Sequence, residues 1–169
     1  AESLASSPIE GVDIVAPKPL EFGEIAAVLD AEYVSAVQTG EPRDLAESQG
    51  FMWDPGMWMA VRASTGGVVA GAIAAMAAGV SGSLSGGLHH ARRDRGAGYC
   101  TFNGLAIAAK TTLAQGAGAV LILDVDAHCG GGTHWLIEGD SRIRQIDVSV
   151  SSYDISVASD AKTLTVVPY

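Results

Sequence analysis

The run Ala119-Val120-Leu121-Ile122-Leu123 most constrains the fold of this chain. Unbroken apolar residues over a strand's length, without polar alternation, predict a strand from Ala119 to Val125 buried on both faces, the situation of a parallel sheet. Asn103 to Gln115 reads as a helix, and Gly116-Ala117-Gly118 ends it just before that strand. Shorter strands are predicted at Val12 to Ala16, around Ser81 to Ser85, at Arg142 to Val150 and at Thr163 to Val167. Leu20 to Gln38 carries helical spacing, with Ile25, Leu29, Tyr33 and Val37 on one face, and divides near Asp30, an N-cap residue. Gly40 to Gly56 is a turn-rich loop holding Phe51, Met52 and Trp53. Met57 to Gly79 is a long helix. Strands alternating with helices predict an α/β fold: three layers, a mostly parallel sheet with helices on both faces, and a single domain over residues 1–169.

Composition supports a packed globular chain, with 48% apolar and 17% charged residues. The formal net charge of −9 argues against nucleic acid as a partner, because the phosphate backbone is bound through Lys and Arg. Arg92-Arg93-Asp94-Arg95 is too short and interrupted to reverse this and reads as a solvated loop. Two cysteines, Cys100 and Cys129, do not make a disulfide framework, and no basic-then-apolar leader is visible, so a reducing cytoplasmic setting is expected. Ala63 to Val80 has the length of a membrane span and contains Gly67-Val68-Val69-Ala70-Gly71. Its Ala and Gly content favours a buried helix packed on a sheet, with no membrane partner.

Sites in open α/β sheets form beyond the C-terminal ends of strands. Asp124, Asp126 and His128 lie there. Asp126 and His128 offer a carboxylate oxygen and an imidazole nitrogen, a donor pair suited to zinc or a similar divalent ion. Asp124 would orient a histidine by accepting its ring proton. The bland alternative is a turn carboxylate followed by a solvent-facing histidine. Three of the four histidines fall in two segments, His89-His90 and His128. A paired histidine near a metal-bound water can take up its proton.

Three segments in order carry a resemblance: Gly86-Gly87-Leu88-His89-His90-Ala91, then Gly98-Tyr99-Cys100-Thr101-Phe102-Asn103, then Asp124-Val125-Asp126-Ala127-His128-Cys129-Gly130-Gly131-Gly132-Thr133. Together they resemble the histone deacetylase family, and the Leu-His-His-Ala…Arg-Asp-Arg wording is most similar to its bacterial acetoin-utilisation and acetylpolyamine deacetylase branch. Glu32-Tyr33-Val34 and Gln145 to Val150 match weaker blocks, so the likeness runs from about Asp30 to Val167. The resemblance implies an arginase/deacetylase-like fold and zinc-dependent hydrolysis of a linear amide, an acetyl-lysine or another acetylated amine. It implies zinc on Asp126 and His128, His90 as general base, and His89 as an electrostatic partner held by Asp124. Gly98 and Tyr99 would line the substrate channel, and Asp124, Asp126, His128 and Ser149 would surround a K+ ion.

Departures from the family pattern set further expectations. The family's third zinc ligand, an aspartate, and its carbonyl-polarising tyrosine lie beyond Tyr169 in its longer domain. Asp140, Asp147, Asp154 and Asp160 could replace that aspartate only through unfamiliar geometry. Gly131 stands where the family has an Asp or Asn that orients the second histidine. Cys129 replaces a second histidine and reads as a buried structural thiol. The visible residues therefore support a weak or vestigial centre. The alternative is a non-catalytic deacetylase-derived binding module or half of a split enzyme, and assembly into a homo-oligomer is left open. For a short version of the fold, the strand before His89 is expected directly beside the strand ending at Asp124. A ureohydrolase would need an aspartate where Gly130 stands, and a phosphate loop at Gly130-Gly131-Gly132-Thr133 lacks a following Lys.

Overall fold

The computed structural model describes residues 6–150 and the backbone of 163–166. Its elements run α1 (Phe22–Ala26), α2 (Ala31–Thr39), α3 (Arg43–Ala46), α4 (Met57–Ala78), α5 (Gly104–Ala114), β1 (Val120–Asp124), α6 (Gly131–Ile137), β2 (Ile143–Val148) and β3 (Thr163–Val166). The three strands form one parallel sheet in the order β1-β2-β3. Parallel neighbours need a crossover, and α6 supplies it between β1 and β2. The predicted α/β fold with a parallel sheet is thus observed.

Local signals set the helix ends. The Asn103 side chain accepts from the Ala106 N–H at 3.0 Å and caps α5. Asp30 is the N-cap of α2, and left-handed Gly40 and Gly79 close α2 and α4. Ile25, Leu29, Tyr33 and Val37, the predicted helical face, all lie in the core beside Phe102, Ile107, Ile122, Leu136 and Ile143. The Phe102 ring meets Tyr33 and Trp58 edge-on, with centroids 5.8 and 6.3 Å away. Tyr33 donates from its hydroxyl to the Thr101 carbonyl at 2.6 Å, which ties α2 to the chain entering α5.

Four expectations are corrected. Residues 12–16 and 81–85 form no strand; Val12 and Ile14 stand exposed. The segment before His89 therefore does not lie beside β1 as a strand. It is held by side-on contacts: Gly104 N–H donates to the Gly87 carbonyl at 2.9 Å, and Thr133 N–H donates to the His89 carbonyl at 2.9 Å. The strand ending at Asp124 is buried on one face only. Ile122 and Asp124 point inward, while Leu121 and Leu123 are 60% and 63% exposed: on the covered side α5 packs on β1 and α6 on β2. Finally, α4 packs along α5 rather than on the sheet. It buries a narrow stripe of Thr65, Gly66 and Val69, with Gly66 against the Lys18 carbonyl. It is long and apolar enough to cross a membrane, and only 17% of its most apolar window is buried.

Truncation of Phe102 tests this core. Phe102→Ala should lower unfolding free energy by about 3–5 kcal/mol, read from the midpoint of urea denaturation. A loss under about 1 kcal/mol would mean the ring is not the packing centre described here.

Candidate functional site

The end of β1, the turn that follows it and the His89-His90 segment meet at one place. Asp124, the last residue of β1, is buried and places Oδ2 2.7 Å from His89 Nδ1. Its other oxygen accepts from the Asp126 N–H at 3.1 Å. His89 Nε2 lies 3.2 Å from His90 Nε2, and the two rings are 4.1 Å apart. With the Nδ1 proton directed at Asp124, the facing Nε2 atoms can share a second proton. The result is a continuous line of carboxylate, imidazole and imidazole, able to hold and pass a proton.

Asp126 and His128 occupy the open side of this line and are about half exposed. Asp126 Oδ1 accepts from the His128 N–H at 2.8 Å and faces His128 Nδ1 at 3.0 Å. The same oxygen is 3.7 Å from His89 Nε2. His128 stands 6.0 Å from His90, ring to ring. The predicted ligand pair and the predicted histidine pair are therefore brought together. Tetrahedral zinc with bonds of about 2.0–2.1 Å separates its donors by about 3.3 Å. A 3.0 Å gap fits two corners of such a site. Among the described residues no three His, Cys, Asp or Glu side chains are placed so that together they could hold a metal ion.

Charges shift the site's titration. Burial is the largest single influence on His89 and pushes its pKa down. The Asp124 hydrogen bond and the charges of Asp124, Asp126 and Asp147 outweigh it and hold the imidazole above its ordinary value. Asp126 is held below the usual carboxylate range, chiefly by the His128 N–H. Asp147 is pushed up by burial, and the neighbouring Asp124 charge adds to this.

The supporting residues come from three elements. The fully buried Asn103 amide donates to the carbonyls of His89 and Ala91, each at 3.2 Å, and lies 3.0 Å from Thr133 Oγ1. Gly98 has φ +52 and packs on His90: a Cβ there would sit 2.5 Å from the ring. Tyr99, at φ +62, is 66% exposed, and its ring lies 5.2 Å from Phe51. Gly132 packs directly on the His90 carbonyl, leaving no room for a side chain.

Other expectations resolve as follows. Cys129 is fully buried, its sulfur 2.8 Å from the buried Ser149 hydroxyl. Asp140 is paired with Arg142 at the N-terminal end of β2, away from the site. Asp147 lies behind Asp124 on the neighbouring strand, where Gly130 N–H donates to it. Asp154 and Asp160 fall outside the described residues. The Gly130–Thr133 turn is no phosphate cradle, since the Gly130 and Thr133 N–H groups are taken by Asp147 and the His89 carbonyl. His134 is buried on α6, its ring 5.3 Å from that of Trp135. Sequence reasoning named Asp147 only as a stand-in carboxylate of unfamiliar geometry, and placed Asn103 in a helix and Gln145 in a strand without a role in the site.

Comparison with known proteins places this geometry. The Histone deacetylase domain matches residues 1–153, well beyond the stretch from Asp30 that the motifs suggest at the N-terminal side. The chain belongs to the histone deacetylase family. An uncharacterized protein of Picosynechococcus sp. is 30% identical over 142 residues, 83% of this chain and 47% of that protein. The acetoin utilization protein AcuC of Staphylococcus aureus is 28% identical over 141 residues, 77% of this chain and 36% of AcuC. Acetylpolyamine amidohydrolase 2 of Pseudomonas aeruginosa is 60% identical over a 45-residue stretch, 27% of this chain and 13% of that protein. The HDA15 HD domain superposes with TM-score 0.74 at 26% identity, over 88% of this chain and 43% of that domain. An HDAC homolog from Aquifex aeolicus shares the fold, with TM-score 0.73 at 22% identity, over 85% of this chain and 41% of that one. This deacetylase-family chain thus spans less than half the length of these relatives.

The His89–Asp124 pair gives a pH prediction. The folded pKa of His89 is raised, so its stabilising contribution is complete below the unfolded value of about 6.5 and is lost as pH rises through the folded value. In Asp124→Asn that pH dependence should largely vanish, and NMR titration of metal-free protein should show the His89 pKa lowered. An unchanged His89 titration in the variant would disprove the pairing.

Proposed function

We propose that this chain carries a weak zinc-dependent deacetylase-like centre acting on an acetylated amine, with two protein donors among the described residues where a catalytic zinc usually has three. The observation behind the reading is the Asp124–His89–His90 line set beside the facing donors of Asp126 and His128. Asp126 and His128 would hold the metal, which when bound polarises an acyl carbonyl and lowers the pKa of water. His90 would accept the proton of the attacking water. His89, with its raised pKa and its partner Asp124, would hold the shared proton and return it through His90 to the leaving amine, so that the amide C–N bond breaks to acetate and free amine. Gly98 lets the backbone close on His90, and the exposed Tyr99 ring would flank the methylene arm of the substrate.

The substrate class follows from charge and relatives. A net charge of −9 attracts cationic amines. Similarity to AcuC and to an acetylpolyamine amidohydrolase points the same way and keeps acetyl-lysine and acetylated polyamines as the two candidates. K+ belongs to the proposal as well. Asp147 Oδ1 and Gln145 Oε1 are buried oxygens without hydrogen-bond partners, near Asp124 and Ser149, which is a donor chemistry suited to a monovalent cation. A second reading, half of a centre completed by another polypeptide, is favoured by the two-ligand count among the described residues.

Metal content decides first. Purified protein incubated with excess zinc and desalted should retain about one equivalent, and Asp126→Ala or His128→Ala should lose it; retention under ~0.1 equivalent by the unaltered chain would overturn the reading. Release of acetate from acetyl-lysine peptide and acetylated polyamine is then compared. His90→Ala should lower kcat by about 100- to 10,000-fold, with zinc retained. Zinc bound without acetate release until a second polypeptide is added would select the split-centre reading.

A further inference from the structure

We infer that Gln145 and Asp147 form a positioning clamp on Gly130, and that this clamp sets the turn carrying Asp126 and His128 against the His89–Asp124 pair. The inference rests on the proposed zinc centre for one of its two readouts and on the His89–Asp124 geometry for the other. Gln145 and Asp147 alternate with outward residues on β2, so both face the covered side of the sheet, and both are essentially fully buried. In register, Gln145 lies beside Ile122 and Asp147 beside Asp124. Gly130 ends the turn after β1. Its N–H donates to Asp147 Oδ2, and its carbonyl accepts from Gln145 Nε2 at 3.2 Å. The same Gln145 nitrogen donates to Asp147 Oδ2 at 3.2 Å, closing the clamp on itself.

Gly130 is held where any side chain would collide. A Cβ would lie 2.6 Å from Asp124 Oδ2, 3.0 Å from Gln145 Nε2 and 3.1 Å from His89 Nδ1. The clamp therefore presses bare backbone onto the imidazole–carboxylate contact and keeps water from it. Its other end is fixed too: Asp124 Oδ1 accepts from Asp126 N–H, and Val150 N–H donates to the Ala127 carbonyl at 3.0 Å. Asp126 and His128 lie between these anchors, joined to each other where the His128 N–H donates to Asp126 Oδ1 at 2.8 Å. Release of Gly130 would free one anchor and leave its buried N–H unsatisfied.

Asp147→Asn keeps an acceptor for the Gly130 N–H, whereas Asp147→Val removes it at similar size. Gln145→Met removes the N–H that donates to the Gly130 carbonyl and serves as the second variant should Asp147→Val fail to fold by circular dichroism. Zinc affinity is measured by chelator competition at fixed potassium. The His89 Nδ1–H proton resonance is followed in zinc-free protein, where loss of the backbone cover should broaden it by solvent exchange. We expect Asp147→Asn to bind zinc within about threefold of the unaltered chain, and Asp147→Val or Gln145→Met to bind about 10- to 100-fold more weakly, with the His89 resonance broadened. A folded Asp147→Val or Gln145→Met with unchanged zinc affinity and an unchanged His89 resonance would overturn the clamp. Failure of the unaltered chain to bind zinc would count against the proposed centre alone; the His89 resonance would still decide the clamp.

Discussion

The buried Asn103 amide is the contact on which the rest of the site depends. Its oxygen caps α5, and its nitrogen binds the carbonyls of His89 and Ala91. The His89-His90 segment has no strand to hold it, so its backbone groups need partners from elsewhere. One fully buried side chain supplies them and fixes that segment to the start of α5. Thr133 on α6 adds a second tie to the His89 carbonyl. A helix cap and the placement of the His89-His90 pair are thus one interaction.

Electrostatics at the sheet's end follow from register. Parallel pairing puts Asp124 beside Asp147, two buried carboxylates on one covered face. Like charges so placed are costly unless each has a counter-interaction. Asp124 has the His89 imidazole, and Asp147 has the Gly130 N–H and the Gln145 amide. The same arrangement raises the His89 pKa beside Asp126 and His128, which stand open to solvent.

Much of this was legible in the residues. The α2 face and its Asp30 cap, the α5 helix, β2 and the helix–strand order around Ala119 depend on local periodicity and turn chemistry, which a sequence carries directly. The motif residues His89, His90, Asp124, Asp126 and His128 were legible because their types and order are rare in combination. Burial of β1 was misjudged because an apolar run signals what a strand can bury against, not what lies there. Leu121 and Leu123 are apolar and still exposed. The long helix α4 misled for a related reason: Ala and Gly raise hydropathy while burying little area, so one narrow stripe on α5 suffices.

By itself the sequence determined the family, the order of elements and the donor atoms available for chemistry, since these depend on residue identity and short-range spacing. Tertiary structure alone decided which of those atoms meet. Asn103 reaching His89, and Gln145 and Asp147 closing on Gly130, are contacts between residues 14 to 17 positions apart. His89 and Asp124 are separated by 35. No local pattern encodes such pairings; they arise when α5, β1 and β2 pack around one core and the groups on their facing sides must find partners.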